Sequence, residues 1–150
     1  MSRFKYRRTL WAVSLLGVVT FIFANSLMDA EASGAESTSW LSRLLEFFPF
    51  LTHNLLRKLA HFSEYALLGA HLAFLPMFLP CHAKGGYLFV PVSGVVLALL
   101  DEGIQLFVPG RAGLLTDVLI DFSGCFLGSA LFIGLIFLYA KRKEKKESAH

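Results

Sequence analysis

Several polar side chains that could bind charged groups or transfer protons lie at helical spacing within the most apolar parts of this sequence. Carboxylates and imidazoles can act as general acids and bases, and a lysine can hold a phosphate or a carboxylate. Such groups are costly to place in lipid, so within apolar helices they indicate a functional site. The eight residues are Lys58, His61, Tyr65, Asp101, Glu102, Gln105, Asp117 and Asp121.

The composition indicates what kind of element must position these side chains. Of the 150 residues, 55% are hydrophobic and only 17% are charged, and the mean hydropathy is +0.60. A soluble domain has about a quarter of its residues charged. The composition therefore predicts one small membrane domain that covers residues 1–150.

Four stretches are long and apolar enough to cross a bilayer, which needs about 20 mostly apolar residues. They lie near residues 9–26, 55–79, 86–108 and 114–140, and residues 141–150 form a basic tail. Their apolar runs are too long and uninterrupted for the alternation of a strand. The prediction is an all-α fold, a polytopic bundle of four transmembrane helices.

The distribution of basic residues predicts the orientation, because cytoplasmic flanks carry an excess of Lys and Arg. Ten of the 14 basic residues fall on one side of the predicted bundle, which places both termini in the cytoplasm and residues 141–150 in a membrane-flanking tail. The sequence has no basic patch with interleaved aromatic residues, so it does not indicate a nucleic-acid partner. The ten are Arg3, Lys5, Arg7, Arg8, Lys84, Lys141, Arg142, Lys143, Lys145 and Lys146.

Two segments before the second span have alternative interpretations. The first span, with its basic start and the small residues after it, also resembles a cleaved signal peptide. Cleavage would leave three spans without moving the polar residues to the other side. In the external loop, residues 40–50 set apolar side chains around Arg43 and Glu46, as an amphipathic helix in the headgroup layer would, or as a simple lead-in to the second span.

Helix geometry predicts that the polar residues converge. At about 1.5 Å per residue, the first group lies within roughly 12 Å of the external start of its span, the second ends the third span, and Asp117 and Asp121 lie in the first turns of the fourth. All therefore lie in the outer half of the bilayer, on helix faces that also carry small residues. Gly124 and Gly128 are expected to serve close helix packing, and Glu64 is expected to pair with Lys58.

The motifs around these residues resemble those of the VanZ-like family of membrane proteins. The matching segments begin at Lys58, Asp101 and Asp117, and they cover the last three spans in the family's order. The resemblance implies a small polytopic protein of bacterial envelopes, whose namesake lowers susceptibility to teicoplanin and related lipoglycopeptides. It adds Arg111 to the site, and it implies Asn where this chain has Asp121.

Two hypotheses for the function follow. In the first, an outward-opening site binds or modifies a lipid or cell-wall precursor, with an acid–base pair of His61 and Asp101. In the second, the polar residues form a structural network in a non-catalytic protein. A transport role lacks a polar path toward Lys84. The candidate catalytic residues are His61, Asp101, Glu102, Asp117 and Asp121, and the candidate binding residues are Lys58, Tyr65, Gln105 and Arg111.

Cofactors and metals are not predicted. Cys81 and Cys125 lie in different parts of the bundle, which argues against a disulfide, and neither has the spacing of a metal-ligand motif. The excess of carboxylates leaves an alternative open, because adjacent buried carboxylates do not all ionise readily. Either one carboxyl is neutral or a cation, such as a divalent ion, is bound.

Overall fold

The computed structural model describes residues 2–28, 52–75, 89–111 and 113–148, and it confirms the all-α prediction. Its four helices are α1 (Ser2–Leu27), α2 (His53–Leu72), α3 (Phe89–Gln105) and α4 (Leu115–Glu147). The described residues contain no strand. The expected amphipathic helix at 40–50, Cys81 and Lys84 lie outside them.

The helix boundaries differ from the predicted spans at both ends of the bundle. The helix α4 continues seven residues past the predicted end, because Lys, Arg and Glu are good helix formers and Lys143 lies 3.7 Å from Glu147 one turn on. The helix α2 ends at Leu72, seven residues early. Beyond that end the Phe74 N–H bonds to the His71 carbonyl at 3.1 Å, and such i→i+3 bonds tighten the last turn of a helix.

Two of the described helices are long and apolar enough to cross a membrane. They are α1, in its segment Lys5–Leu27, and α4, whose most apolar 18-residue windows have mean hydropathy 1.9 and 2.0. The other two do not qualify for different reasons: α2 carries Arg, Lys, Glu and three His residues, and α3 has only 17 residues. Some of the polar positions that lower the hydropathy of α2 belong to the candidate site.

Glycines allow α2 and α4 to form the largest helix–helix contact in the described structure. A Cβ at Gly69 would collide with the backbone of Cys125, and a Cβ at Gly128 would collide with the backbone of Ala66. Gly124 meets the backbone of Phe62 in the same way. The predicted packing role of Gly124 and Gly128 is thus confirmed. The close approach brings together the side chains near the starts of α2 and α4.

Candidate functional site

Polar side chains from all four helices meet at one end of the bundle. The helices α1 and α3 end there, and α2 and α4 begin there. The apolar core lies further along the helices, and it includes Ile22, Leu68, Ala98 and Cys125. The site is therefore built from four helix ends above a packed apolar core.

An ion pair between α2 and α4 lies at the more exposed part of the site. Lys58 Nζ donates to Asp117 Oδ1 at 2.9 Å, and Arg57 Nη2 lies 3.8 Å from Asp117 Oδ2. The side chains of Arg57 and Lys58 are 30% and 27% exposed, against 13% for Asp117. Arg57 was not among the predicted site residues, because it lies about 100° around the helix from Lys58.

Three residues from three different helices form a buried cluster behind this ion pair. His61 Nδ1 lies 3.8 Å from Asp101 Oδ2 and 3.9 Å from Asp121 Oδ1. Both distances are too long for hydrogen bonds, for which a separation of about 3.6 Å is already too great. The side chain of His61 is 14% exposed, and those of Asp101 and Asp121 are 0% and 1% exposed. We call these three residues the His–Asp cluster.

Polar atoms of the His–Asp cluster lack hydrogen-bond partners within the described structure. They are His61 Nδ1, Asp101 Oδ1 and both carboxylate oxygens of Asp121. Buried polar groups are nearly always hydrogen-bonded, so orphaned groups of this kind need an explanation. Such a cluster can exchange protons or hold a cation.

Two other predicted site residues have structural partners. Glu102 Oε2 accepts a hydrogen bond from the Leu114 backbone N–H at 2.8 Å, just before α4 begins. Gln105 Nε2 donates to Ser26 Oγ at 3.4 Å and to Asp101 Oδ2 at 3.3 Å. Both side chains connect α3 to a neighbouring element, Glu102 to the start of α4 and Gln105 to α1.

Tyr65 lies in the apolar core, apart from the pocket that most of the other predicted residues line. Its side chain is fully buried, and its hydroxyl has no partner among the described residues. Beside Ile22 and Leu68 it borders a gap with no room for a water molecule. A substrate contact by Tyr65 would therefore require an opening in the core.

The end of α1 contributes to the site through two residues that the sequence interpretation did not include. Asn25 Nδ2 donates to Glu64 Oε1 at 2.7 Å, and the Asn25 backbone oxygen accepts from Arg111 Nη2 at 3.2 Å. Ser26 is fully buried. The expected Glu64–Lys58 pair was wrong, because α1 supplies Asn25 to Glu64. Two adjacent polar residues ending an apolar span were the signal available in the sequence.

Arg111 is near enough to the His–Asp cluster to act on it electrostatically. It interacts with His61, Asp101 and Glu64, while its guanidinium donates to Asn25. Arg111 thus lies on the α1 side of the cluster, and Arg57 and Lys58 lie on the α4 side. The cluster has fixed positive charge on two sides.

A small pocket joins the exposed and buried parts of the site. Its free volume is only about 10 Å³, about the space for one water molecule and far below the roughly 300–1,000 Å³ of sites for drug-sized ligands. This volume suits a water molecule or a single ion, and a phosphate or carboxylate would need side chains around it to move. Its lining residues are Arg57, Lys58, His61, Glu102, Gln105, Asp117, Ile120 and Asp121. We call it the polar pocket.

The helices and this pocket define a small polytopic membrane protein with a buried polar site. Its family follows from comparison with known proteins: the model of the VanZ/LLP1 family matches residues 11–138, so the chain belongs to the VanZ/LLP1 family. The resemblance seen in the motifs is confirmed, and the match also includes most of α1. Comparison with curated proteins and with solved structures gave no match.

Proposed function

We propose that this protein binds the anionic headgroup of a lipid or cell-envelope precursor in the polar pocket. The observation that carries the proposal is the gradient of exposure, from the partly exposed cations Arg57 and Lys58 to the fully buried Asp101. A phosphate or carboxylate can enter beside the cations, since Arg binds such groups with two parallel hydrogen bonds. The pocket has room for about one water-sized group, so side chains around it must move to admit the charged group, and the lipid chain stays outside.

Acid–base chemistry by His61 and Asp101 is part of the same proposal. Catalytic hydrogen bonds are often long without substrate and shorten when it binds. A shift of less than about 1 Å would bring His61 Nδ1 into hydrogen-bond distance of either carboxylate. A proton could then pass between the imidazole and a group bound in the pocket.

The proposed orientation places the polar pocket in the outer half of a bacterial cytoplasmic membrane. Basic residues gather at the start of α1 and at the end of α4, which are the helix ends far from the pocket. By the positive-inside rule these ends are cytoplasmic. A pocket that faces the outer surface would meet the envelope components on which teicoplanin-type antibiotics act, so reduced susceptibility to them belongs to the proposal.

A binding assay with the purified chain tests anion recognition. Native mass spectrometry with a polyprenyl phosphate, and with the zwitterionic lipid phosphatidylcholine as comparison, measures whether the phosphate lipid is preferred. We expect Arg57→Gln to weaken phosphate-lipid binding about tenfold, the effect of losing one charge-assisted hydrogen bond. Arg142→Gln, at the far end of α4, is the matched control. Equal binding by all three proteins would contradict the proposal.

A structural network is the second candidate function, and specific contacts favour it. Three hydrogen bonds connect different parts of the bundle: Lys58–Asp117, Glu102–Leu114 and Gln105–Ser26. In this case the protein acts by binding a partner, and the polar residues serve only to fold it.

Asp101→Asn distinguishes the two candidates. The experiment uses a bacterial host in which the wild-type chain changes teicoplanin susceptibility, and it measures both that susceptibility and the abundance of the protein. Loss of the effect at normal protein abundance supports a functional site. Loss of abundance in parallel with the effect supports the structural network, since a half-broken buried pair destabilises by about 3–5 kcal/mol.

A further inference from the structure

The His–Asp cluster places two carboxylates where hydrogen bonding does not account for them. Asp101 and Asp121 are both essentially inaccessible, and within the described structure three of their four carboxylate oxygens have no hydrogen-bond partner. His61 Nδ1, between them, has none either. Burying charged oxygens without partners is strongly unfavourable unless a proton neutralises them or a cation compensates. The cluster therefore has the donor atoms of a cation site as well as the reason to need one.

The spacing of these donor atoms fits a single ion. One ligand atom from each residue lies within 4.8 Å of the other two. Three points with this spacing share a centre no more than about 2.8 Å from each of them. Metal–nitrogen and metal–oxygen bonds to Zn²⁺ are about 2.0–2.2 Å long. Each side chain would need to move inward by less than about 1 Å, which rotation about its side-chain bonds can supply.

The charge around the cluster also matches a divalent ion. Five carboxylates surround or line the site, and three fixed cations face them, so the formal excess is two negative charges. One divalent ion would neutralise it. The carboxylates are those of Glu64, Asp101, Glu102, Asp117 and Asp121, and the cations are Arg57, Lys58 and Arg111.

We infer that His61, Asp101 and Asp121 bind one divalent transition-metal ion, for which Zn²⁺ is the best fit. An imidazole with two carboxylates is a donor set that Zn²⁺ accepts, and three protein ligands leave a coordination position open. Ca²⁺ prefers six to eight oxygen ligands, and Mg²⁺ prefers near-octahedral oxygen sites. The ligands come from α2, α3 and α4, so the ion would also connect three helices.

The ion explains how an anionic group could approach a carboxylate-rich pocket. Without it, Asp101 and Asp121 would repel the phosphate that Arg57 and Lys58 attract. With it, an oxygen of the anion can occupy the open position next to the cluster. This role rests on the proposed function, whereas binding of the ion itself does not. In that state His61 is a ligand, and it does not act as the proton-handling base.

Metal binding can be measured on the full-length chain in detergent without any substrate. The chain is stripped with a chelator and titrated with Zn²⁺, and separately with Co²⁺, whose visible absorption reports ligand geometry. We expect one equivalent to bind, with a rise in the thermal unfolding temperature because the ion binds only the folded state. Mg²⁺ and Ca²⁺ should bind at least about tenfold more weakly.

Substitutions assign the ligands. Asp121→Asn keeps the side-chain shape and should weaken Zn²⁺ binding by about 100-fold or more, since loss of even an outer-shell partner costs about 10–100-fold. His61→Gln should also remove the Co²⁺ spectrum. The control is His71→Gln, whose side chain bonds to Ser14 on α1 and to the Leu67 carbonyl on its own helix.

The outcomes separate metal binding from the proposed function. The metal site is overturned if the wild-type chain binds no Zn²⁺. It is also overturned if Zn²⁺ binding falls equally in the ligand variants and in the control. If Zn²⁺ binds through the His–Asp cluster while the polyprenyl phosphate does not bind, the metal site stands and the anion-binding function fails. Where Asp121→Asn does not fold, the Co²⁺ spectrum of the wild type still decides whether a nitrogen–oxygen site exists.

Discussion

Replacing Gly128 by Ala should disturb the whole site, although this residue does not touch it. An added Cβ at Gly128 would collide with the Ala66 carbonyl oxygen and lie 2.6 Å from its carbonyl carbon. Ordinary contacts of a Cβ begin near 3.4 Å, so α2 and α4 must separate locally by about 1 Å. Backbone atoms cannot rotate away as a side chain can. Overpacking of this kind typically destabilises by about 1–3 kcal/mol.

The same helix offers a matched control. Gly134 lies six residues further along α4, and a Cβ there meets nothing within 4 Å. Gly134→Ala should therefore leave stability unchanged or raise it by up to about 1 kcal/mol, because Ala favours a helix over Gly. The comparison isolates the steric effect from the difference in helix propensity.

Thermal unfolding in detergent, followed by circular dichroism, measures the difference. We expect Gly128→Ala to unfold at a lower temperature than wild type and Gly134→Ala at the same or a higher one. Separation of α2 and α4 would also pull His61 away from Asp121, and misplacement by 1 Å is enough to weaken a binding site. Zn²⁺ or phosphate-lipid binding should fall in parallel. If Gly128→Ala is as stable as Gly134→Ala, the close helix contact described above is wrong.

Two further predictions concern the loop between α3 and α4. Glu102→Ala removes the acceptor of the Leu114 N–H, and no other side chain caps α4. The variant should lose about 1–3 kcal/mol of stability and show faster hydrogen exchange at the start of α4. Unchanged exchange would refute this role of Glu102. A reporter that is active only outside the cytoplasm should be active when fused at Pro109 and inactive when fused at Lys145; the reverse pattern would invert the orientation and end the case for an outward-facing pocket.

The helices of this protein were predictable because hydropathy reports them directly. The level of the polar residues was predictable as well, since rise per residue and span direction give depth. The pairing of Lys58 was not. Glu64 was expected as its partner, although six residues place it about 120° around α2 from Lys58; the actual partner is Asp117 on α4. Side chains pair between helices only where the helices pack closely, and sequence spacing does not reveal that packing. Here the close contact is that of Gly124 with the Phe62 backbone.

Asn25 and Arg57 were missed for related reasons. Asn25 lies near the end of the first span. The hydropathy of that span accounts for a membrane helix by itself, so nothing in the sequence of α1 indicated a side-chain partner on α2. Arg57 lies about 100° around α2 from Lys58, so the helix face that carries the predicted residues did not include it. A long arginine near a helix start can still reach a neighbouring helix, as its 3.8 Å approach to Asp117 illustrates. Face assignments thus fail first for the longest side chains.

The polar residues of this site divide into two groups with different consequences for function. Glu102 and Gln105 have partners on other elements, so their loss should appear mainly as lost stability. The His–Asp cluster has unmet hydrogen-bonding capacity within the described structure, and a protein gains no stability from buried carboxylates in that state. Selection for stability of the folded state alone would favour apolar residues at these positions. Their presence is best explained by a ligand that the carboxylates bind, and a divalent ion fits their spacing and their charge.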